Sequence, residues 1–183
     1  PEPMPDLLTL VMAGASRGDW HLAVGDRNAR LLEEVLPAFL ARQRWYAGKD
    51  PGALTVQLVG SATLPGPEEP FQLVRLDVTR AGDAGPSPYF LPLALSFDDQ
   101  AGQPGWAGLP YAVARVRRGA RVGAAYDATQ AGGFATALVR AIRGGQELAI
   151  ATGGAIVGNA TAELIALGPV EDSAEVRPQG AEQ

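Results

Sequence analysis

Near residue 50 the spacing of apolar residues changes from a helical period to a strand period. No other feature of the chain constrains its fold as much. Before the change, Leu31, Leu32, Val35, Leu36, Phe39 and Leu40 recur at helical spacing, so one face of a helix is apolar. After it, Leu54, Val56 and Leu58 alternate with Thr55 and Gln57, and Val74, Leu76 and Val78 alternate with Arg75, Asp77 and Thr79. Tyr89, Leu91, Leu93, Leu95 and Phe97 continue the alternation across Pro92 and Ser96, and Tyr111 to Val116 and Arg121 to Tyr126 make two further runs. Between them lie Pro65-Gly66-Pro67, Gly82 to Pro88 and Gly102 to Gly108, all turn chemistry. Consecutive strands joined by such turns predict an antiparallel meander. A proline inside the third run, Pro92, marks an edge strand or a bulge.

The helices have signals of their own. Asp26 or Asn28 can cap the first one, and Pro37 inside its stripe predicts a kink or a second helix starting there. A second helix is expected from Asp127, with Gln130 completing a capping box and Phe134, Leu138, Ala141 and Ile142 as the buried stripe. Gly144-Gly145 stops it. Leu7 to Met12 reads as a short strand or a segment tucked onto a neighbour, and Gln146–Ala151 and Thr161–Leu167 read as two more strands. With 46% hydrophobic residues the chain can pack a core. The expected fold is α+β: a curved antiparallel sheet of about six to seven strands with two or three helices packed against one face. Residues 1–29, which begin with Pro1, Pro3 and Pro5, read as a linker or N-terminal arm.

Much chemistry is excluded. There is no cysteine, which removes disulfides and thiolate metal sites and agrees with a reducing cytoplasm. His21 is the one histidine, so a histidine-based triad or a multi-histidine metal site cannot be assembled within the chain. The acidic pairs Glu33-Glu34, Glu68-Glu69, Asp98-Asp99 and Glu171-Asp172 read as solvated, because adjacent carboxylates point in different directions. Gly153 to Gly158 is followed by Asn159-Ala160 rather than the Lys-Ser/Thr of a phosphate-binding loop. No dinucleotide fingerprint or kinase catalytic loop is present. The net charge is −5 and the best basic run, Arg115, Arg117, Arg118 and Arg121, reads as a strand end and turn. Neither a nucleic-acid surface nor a membrane span is expected, and no signal peptide is evident.

One segment stands apart. Arg42-Gln43-Arg44-Trp45-Tyr46-Ala47-Gly48-Lys49 puts two arginines, two large aromatics and the only lysine at a helix end. Either the cations complement the helix dipole while Trp45 enters the core, or the segment is a contact surface rich in the residues that carry binding energy. Arg42, Arg44, Trp45, Tyr46, Gly48 and Lys49 are therefore the candidate interface residues. No catalytic, cofactor-binding or metal residue is assigned.

Leu36-Pro37-Ala38-Phe39-Leu40-Ala41-Arg42-Gln43-Arg44-Trp45-Tyr46-Ala47-Gly48-Lys49 resembles the start of bacterial maltokinases, with Tyr46 where phenylalanine is commoner. Tyr89-Phe90-Leu91-Pro92-Leu93-Ala94, Tyr126-Asp127-Ala128 and the closing Val176 to Gln183 are similar to three later stretches of that family. The resemblance implies a non-catalytic N-terminal cap domain over residues 30–178, with 179–183 opening a junction to kinase lobes outside this sequence. It implies a parent enzyme that uses ATP and magnesium to make maltose 1-phosphate, its own kinase lobes as partner, and a cytoplasmic setting. It also implies a trehalose synthase, fused or associated, because residues 1–29 look like the connector in such fusions. The alternative is a stand-alone small-ligand or protein-interaction module with a pocket in its sheet. From the missing motifs, the purified chain is expected to give no Mg-ATP binding heat in calorimetry and no ADP release with maltose in a coupled assay. Turnover would contradict the cap reading.

Overall fold

A computed structural model describes residues 7–12, 20, 22–46 and 54–169. The first helix, α1 (Arg27–Arg42), begins at Asp26, whose side chain accepts from the Ala29 amide at 2.6 Å. Ala29, Leu32, Leu36, Phe39 and Leu40 form its buried face. A single helix runs through Pro37, so no second helix starts there. Proline removes one backbone bond, but Leu36, Phe39 and Leu40 on either side of it are at most 1% exposed in one core, and tertiary burial outweighs the lost bond.

Six strands make the main sheet: β1 (Thr9–Val11), β2 (Leu54–Leu64), β3 (Phe71–Arg80), β4 (Ser87–Ser96), β5 (Ala112–Arg118) and β6 (Arg121–Asp127). Their order is β1-β5-β6-β4-β3-β2, so the expected meander is broken after β4. The long connection from residue 97 to 111 lets the chain pass over one position, and β6 rather than β5 pairs with β4. Every pairing is antiparallel except the parallel β1–β5 edge. One helix, α1, touches β2 and β1, the two edge strands, as well as β5. That is possible only if the sheet curls around it. Register shifts at Leu58/Gly60 in β2 and Ala112/Ala114 in β5 supply the local bends and extra twist that such a curl needs. Glu33 of α1 accepts the Leu58 amide at 2.8 Å, so this acid belongs to the helix–sheet joint and is not simply solvated.

Pro92 sits in an interior strand, but at a level where that strand has one neighbour. Ser87 to Pro92 of β4 pair with β3, and β6 joins only from Leu93 onward. The proline is therefore at a local edge, where a missing amide leaves the ladder intact.

The helices divide between two faces instead of sharing one. Leu91, Leu93 and Leu95 of β4 point to the core around α1, while Ala94 points to a second cluster with Leu64, Phe71, Leu73 and Phe134. That second face carries α2 (Phe134–Arg143) and a two-stranded hairpin of β7 (Glu147–Ala149) and β8 (Ala155–Val157). Asp127 caps a short 3-10 turn, Ala128–Gln130, and α2 starts only after Gly133. Two glycines at positions 132 and 133 disfavour helix propagation and separate the expected cap from the helix. Gly145, at φ 59°, ends α2 in a conformation that glycine adopts without strain. Thr161 to Leu167 is no strand: Thr161 accepts the Leu164 amide and caps a short helix, α3 (Ala162–Ala166). A threonine cap followed by good helix formers outweighs the apolar alternation there.

The N-terminal arm is woven into the core around α1. Leu10, Met12, Trp20 and Leu22 are all buried, and Gln72 donates to the Trp20 carbonyl at 2.6 Å. At the same end of the sheet Arg118 is 4% exposed and grips Glu69 with two bonds, 2.7 and 3.0 Å. Its guanidinium also lies 4.7 Å from the centre of the Phe97 ring. Glu69 lies in the β2–β3 turn and Arg118 ends β5, so the pair bridges across the curl. The solvated reading of the Glu68-Glu69 pair and of the Arg115–Arg121 run fails at these two residues, because folding removes both from water. Removing Glu69 alone leaves a buried cation, so Glu69→Ala is expected to destabilise the domain by ~3–5 kcal/mol in urea unfolding, and an Arg118→Met/Glu69→Leu pair by much less. Equal losses would show that the charges matter only for packing.

Candidate functional site

The end of α1 turns the aromatic pair of the singled-out segment inside out. The Gln43 amide donates to the Leu40 carbonyl at 2.9 Å and the Tyr46 amide to the Gln43 carbonyl at 3.2 Å. These bonds close a tight turn. Gln43 is itself buried, with Nε2 donating to the Phe39 carbonyl at 3.4 Å. Across that turn Tyr46 falls into the core at 1% exposure, while Trp45 stays 47% exposed. Arg44 is exposed, and partial burial holds the Arg42 guanidinium below its ordinary pKa. Gly48, Lys49 and His21 lie outside the described residues.

Trp45 is exposed but not loose. Its ring meets Tyr46 edge-on at 6.4 Å and an 88° interplanar angle, and Tyr89 of β4 at 6.4 Å and 42°. Tyr46 and Tyr89 are 5.5 Å apart. Such edge and tilted contacts are favourable for aromatic pairs. Burial pushes the Tyr46 phenol above its usual pKa, and the neighbouring Tyr89 adds to this while Arg80 opposes it. Arg80 and Asp83, in a 3.3 Å ion pair, fix the β3–β4 turn beside these rings.

The β4 edge next to this aromatic group is poor in donors. Alternation puts Pro88, Phe90 and Pro92 on the same side of the strand. Two of those three residues have no amide, so only Phe90 can donate to an added strand. What the region offers a partner is side chains: Trp45 on one face of β4, and Phe90, 50% exposed, on the other.

Nothing nearby assembles acid–base chemistry. Among the described residues no group of three or more His, Asp or Glu side chains could hold a metal ion. Three surface hollows of about 410, 330 and 470 Å3 each contain one charged residue, respectively Arg140, Arg75 and Glu147. None brings a carboxylate to a cation. Gly153 and Gly154 lie in the β7–β8 turn, not between a strand and a helix as a phosphate loop requires. Among the described residues no helix is long and apolar enough to cross a membrane.

What this fold and site define is an α+β sheet domain with a half-exposed tryptophan braced by two tyrosines. The family model of the maltokinase N-terminal cap domain matches residues 39–130, half of the chain, and the chain belongs to that family. The match spans the end of α1, the five strands from β2 to β6 and the 3-10 turn. It therefore contains Trp45, Tyr46 and Tyr89, while the Val176–Gln183 stretch lies outside it. No curated protein and no solved structure matches the chain.

The alternative in which Trp45 enters the core is corrected: Tyr46 takes that place and Trp45 stays half exposed. Tyr89, which contacts both rings, is 43 positions beyond Tyr46 and was not among the candidates. The expected energetic signature is asymmetric: Tyr46→Ala costs ~3–5 kcal/mol, as for a buried aromatic, and Trp45→Ala ~1–2 kcal/mol, in proportion to the area it buries. Thermal and urea unfolding of the two variants would check the order, and the reverse order would refute it.

Proposed function

We propose that this domain is the non-catalytic cap of an ATP-dependent maltokinase, and that Trp45 with its aromatic neighbours is where the cap meets the catalytic lobes of the same chain. The parent reaction is phosphoryl transfer from ATP, with magnesium, to maltose, giving maltose 1-phosphate and ADP. A cytoplasmic setting, and a trehalose synthase fused or associated, belong to this reading. The reacting groups reside in the lobes. The cap contributes a surface.

The observation that supports this most is Trp45 itself. A half-exposed tryptophan braced by two other rings has little rotational freedom to lose when a partner covers it, and such residues concentrate binding energy. Arg44, exposed beside it, is placed to pair with a carboxylate or a helix C-terminus across an interface. Lys49 and Gly48 complete the segment by sequence: a compact ammonium that arginine does not mimic and a backbone position without side-chain obstruction.

The test is Trp45→Ala in the full-length kinase. It is expected to reduce kcat/KM and increase proteolysis at the cap–lobe junction, with Trp45→Phe intermediate and the isolated cap destabilised only by the ~1–2 kcal/mol of its own lost ring contacts. An interface anchor of this kind is worth ~2 kcal/mol or more, about thirtyfold in association. Unaltered activity and cleavage would refute the docking role.

A further inference from the structure

We propose that the outer face of β1, β5 and β6 is a second docking surface, one that takes an acidic protein segment carrying aliphatic side chains. The inference goes beyond the cap reading and uses none of the aromatic site.

The face follows from register and alternation. Leu10 and Val116 point inward and are buried, so Val11 and Arg117 point outward. Pairing places Val11, Arg117 and Val122 in one row across the three strands. The next row is Thr9, Arg115 and Ala124, where Gly102 of the β4–β5 connection lies over Ala124 and buries it. The open part of the face is therefore the Val11–Arg117–Val122 row with Thr9 and Arg115 beside it. Val11 and Val122 are 54% and 56% exposed, with Arg117 between them. Arg121, at the adjoining turn, pairs opposite the inward-pointing Arg118 and shares the Phe97 ring with it, so it belongs to the other face. The cluster beneath α2 and the hairpin draws on Leu64, Phe71, Leu73 and Ala94, in β2 to β4. It leaves the Val11–Arg117–Val122 row exposed.

Charge identifies the occupant. The chain has a net charge of −5, yet this face presents Arg115 and Arg117, both exposed. Among the described residues the ion pairs are Arg80–Asp83 and Arg118–Glu69, so neither of the two has a carboxylate partner. Arg117 engages the Gly119 carbonyl through Nε at 3.0 Å, an interaction that does not neutralise it. An arginine flanked by two exposed valines matches a partner that alternates carboxylates with aliphatic side chains: the arginines satisfy the acids, and the valines bury area. The open feature is the face and not the strand edge, because Asn28 Nδ2 already donates to the Val11 carbonyl at 3.1 Å. Nucleic acid is the weaker match, since two arginines on an acidic chain fall short of the basic stripe that phosphate backbones require.

The test is a titration of the 15N-labelled chain with acetyl-(Glu-Val)3-Glu-amide, followed by NMR. Saturable shifts centred on Val11, Arg117 and Val122 are expected, with affinity falling at least about tenfold between ~50 and ~500 mM NaCl as screening shortens. A peptide with glutamine for glutamate should not bind, and Arg115→Glu/Arg117→Glu should abolish binding. If that variant does not fold, Arg117→Gln/Val122→Ser should still weaken binding at least about tenfold. Shifts elsewhere, no binding at millimolar peptide, or a folded variant that binds as before would overturn the proposal. So would an oligothymidylate that competes as strongly as the peptide.

Discussion

The structure depends on burying one helical stripe inside a curled sheet. A flat six-stranded sheet could not bring both edge strands against one helix, yet β1 and β2 both touch α1. Right-handed twist accumulates from strand to strand, and the bulges in β2 and β5 add bends where the curl is needed. The reward is burial of Leu32, Leu36, Phe39 and Leu40 to 1% exposure or less. At ~2 kcal/mol for each large apolar side chain, that stripe is a major share of what stabilises a domain of marginal stability.

The Arg118–Glu69 pair acts on the same constraint from the far end of the sheet. Taking two charges out of water is expensive, and their attraction in the interior does little more than offset it. The bidentate geometry and the Phe97 ring improve the balance, while the Arg118 Nε has no partner and worsens it. The pair is thus better suited to specifying which turns meet across the curl than to raising total stability. Apolar residues there would tolerate slippage, whereas a guanidinium and a carboxylate buried together tolerate only each other.

The functional reading rests on the same separation of inside from outside. Several unusual residues among those described serve the scaffold. Glu33 joins helix to sheet, Glu69 and Arg118 bridge the curl, Asp127 caps a turn and Tyr46 fills core. Trp45 does not. Its ring is held by Tyr46 and Tyr89 and still presents almost half its surface to solvent. A domain of the maltokinase N-terminal cap family whose described residues assemble no acid–base site is a natural candidate for work done through contacts, and the rings and the outer β1–β5–β6 face are two places where contacts remain to be made.

The sequence by itself determined the elements whose signals are local. The period of Leu32, Leu36 and Phe39 specifies a helix, and Asp26 starts it. Alternation with turn residues between the runs locates five strands along the chain, because periodicity and turn chemistry act within a few residues. It does not locate their order in the sheet, where β6 and not β5 lies beside β4. Composition likewise located the Arg42–Lys49 segment. Tertiary structure decided everything that depends on distant partners. That α1 and α2 lie on opposite faces follows from how β4 divides its side chains between two clusters. The helix continues through Pro37 because a core assembled from distant strands holds it. Arg118 and Glu69 are 49 residues apart, and neither carries a local sign of burial. Tyr46 rather than Trp45 enters the interior, in a core drawn from strands far along the chain, and Tyr89 of β4 contacts both rings. Alternation can tell one face of a strand from the other, but which face is covered, and by what, is settled only when separate segments of the chain meet.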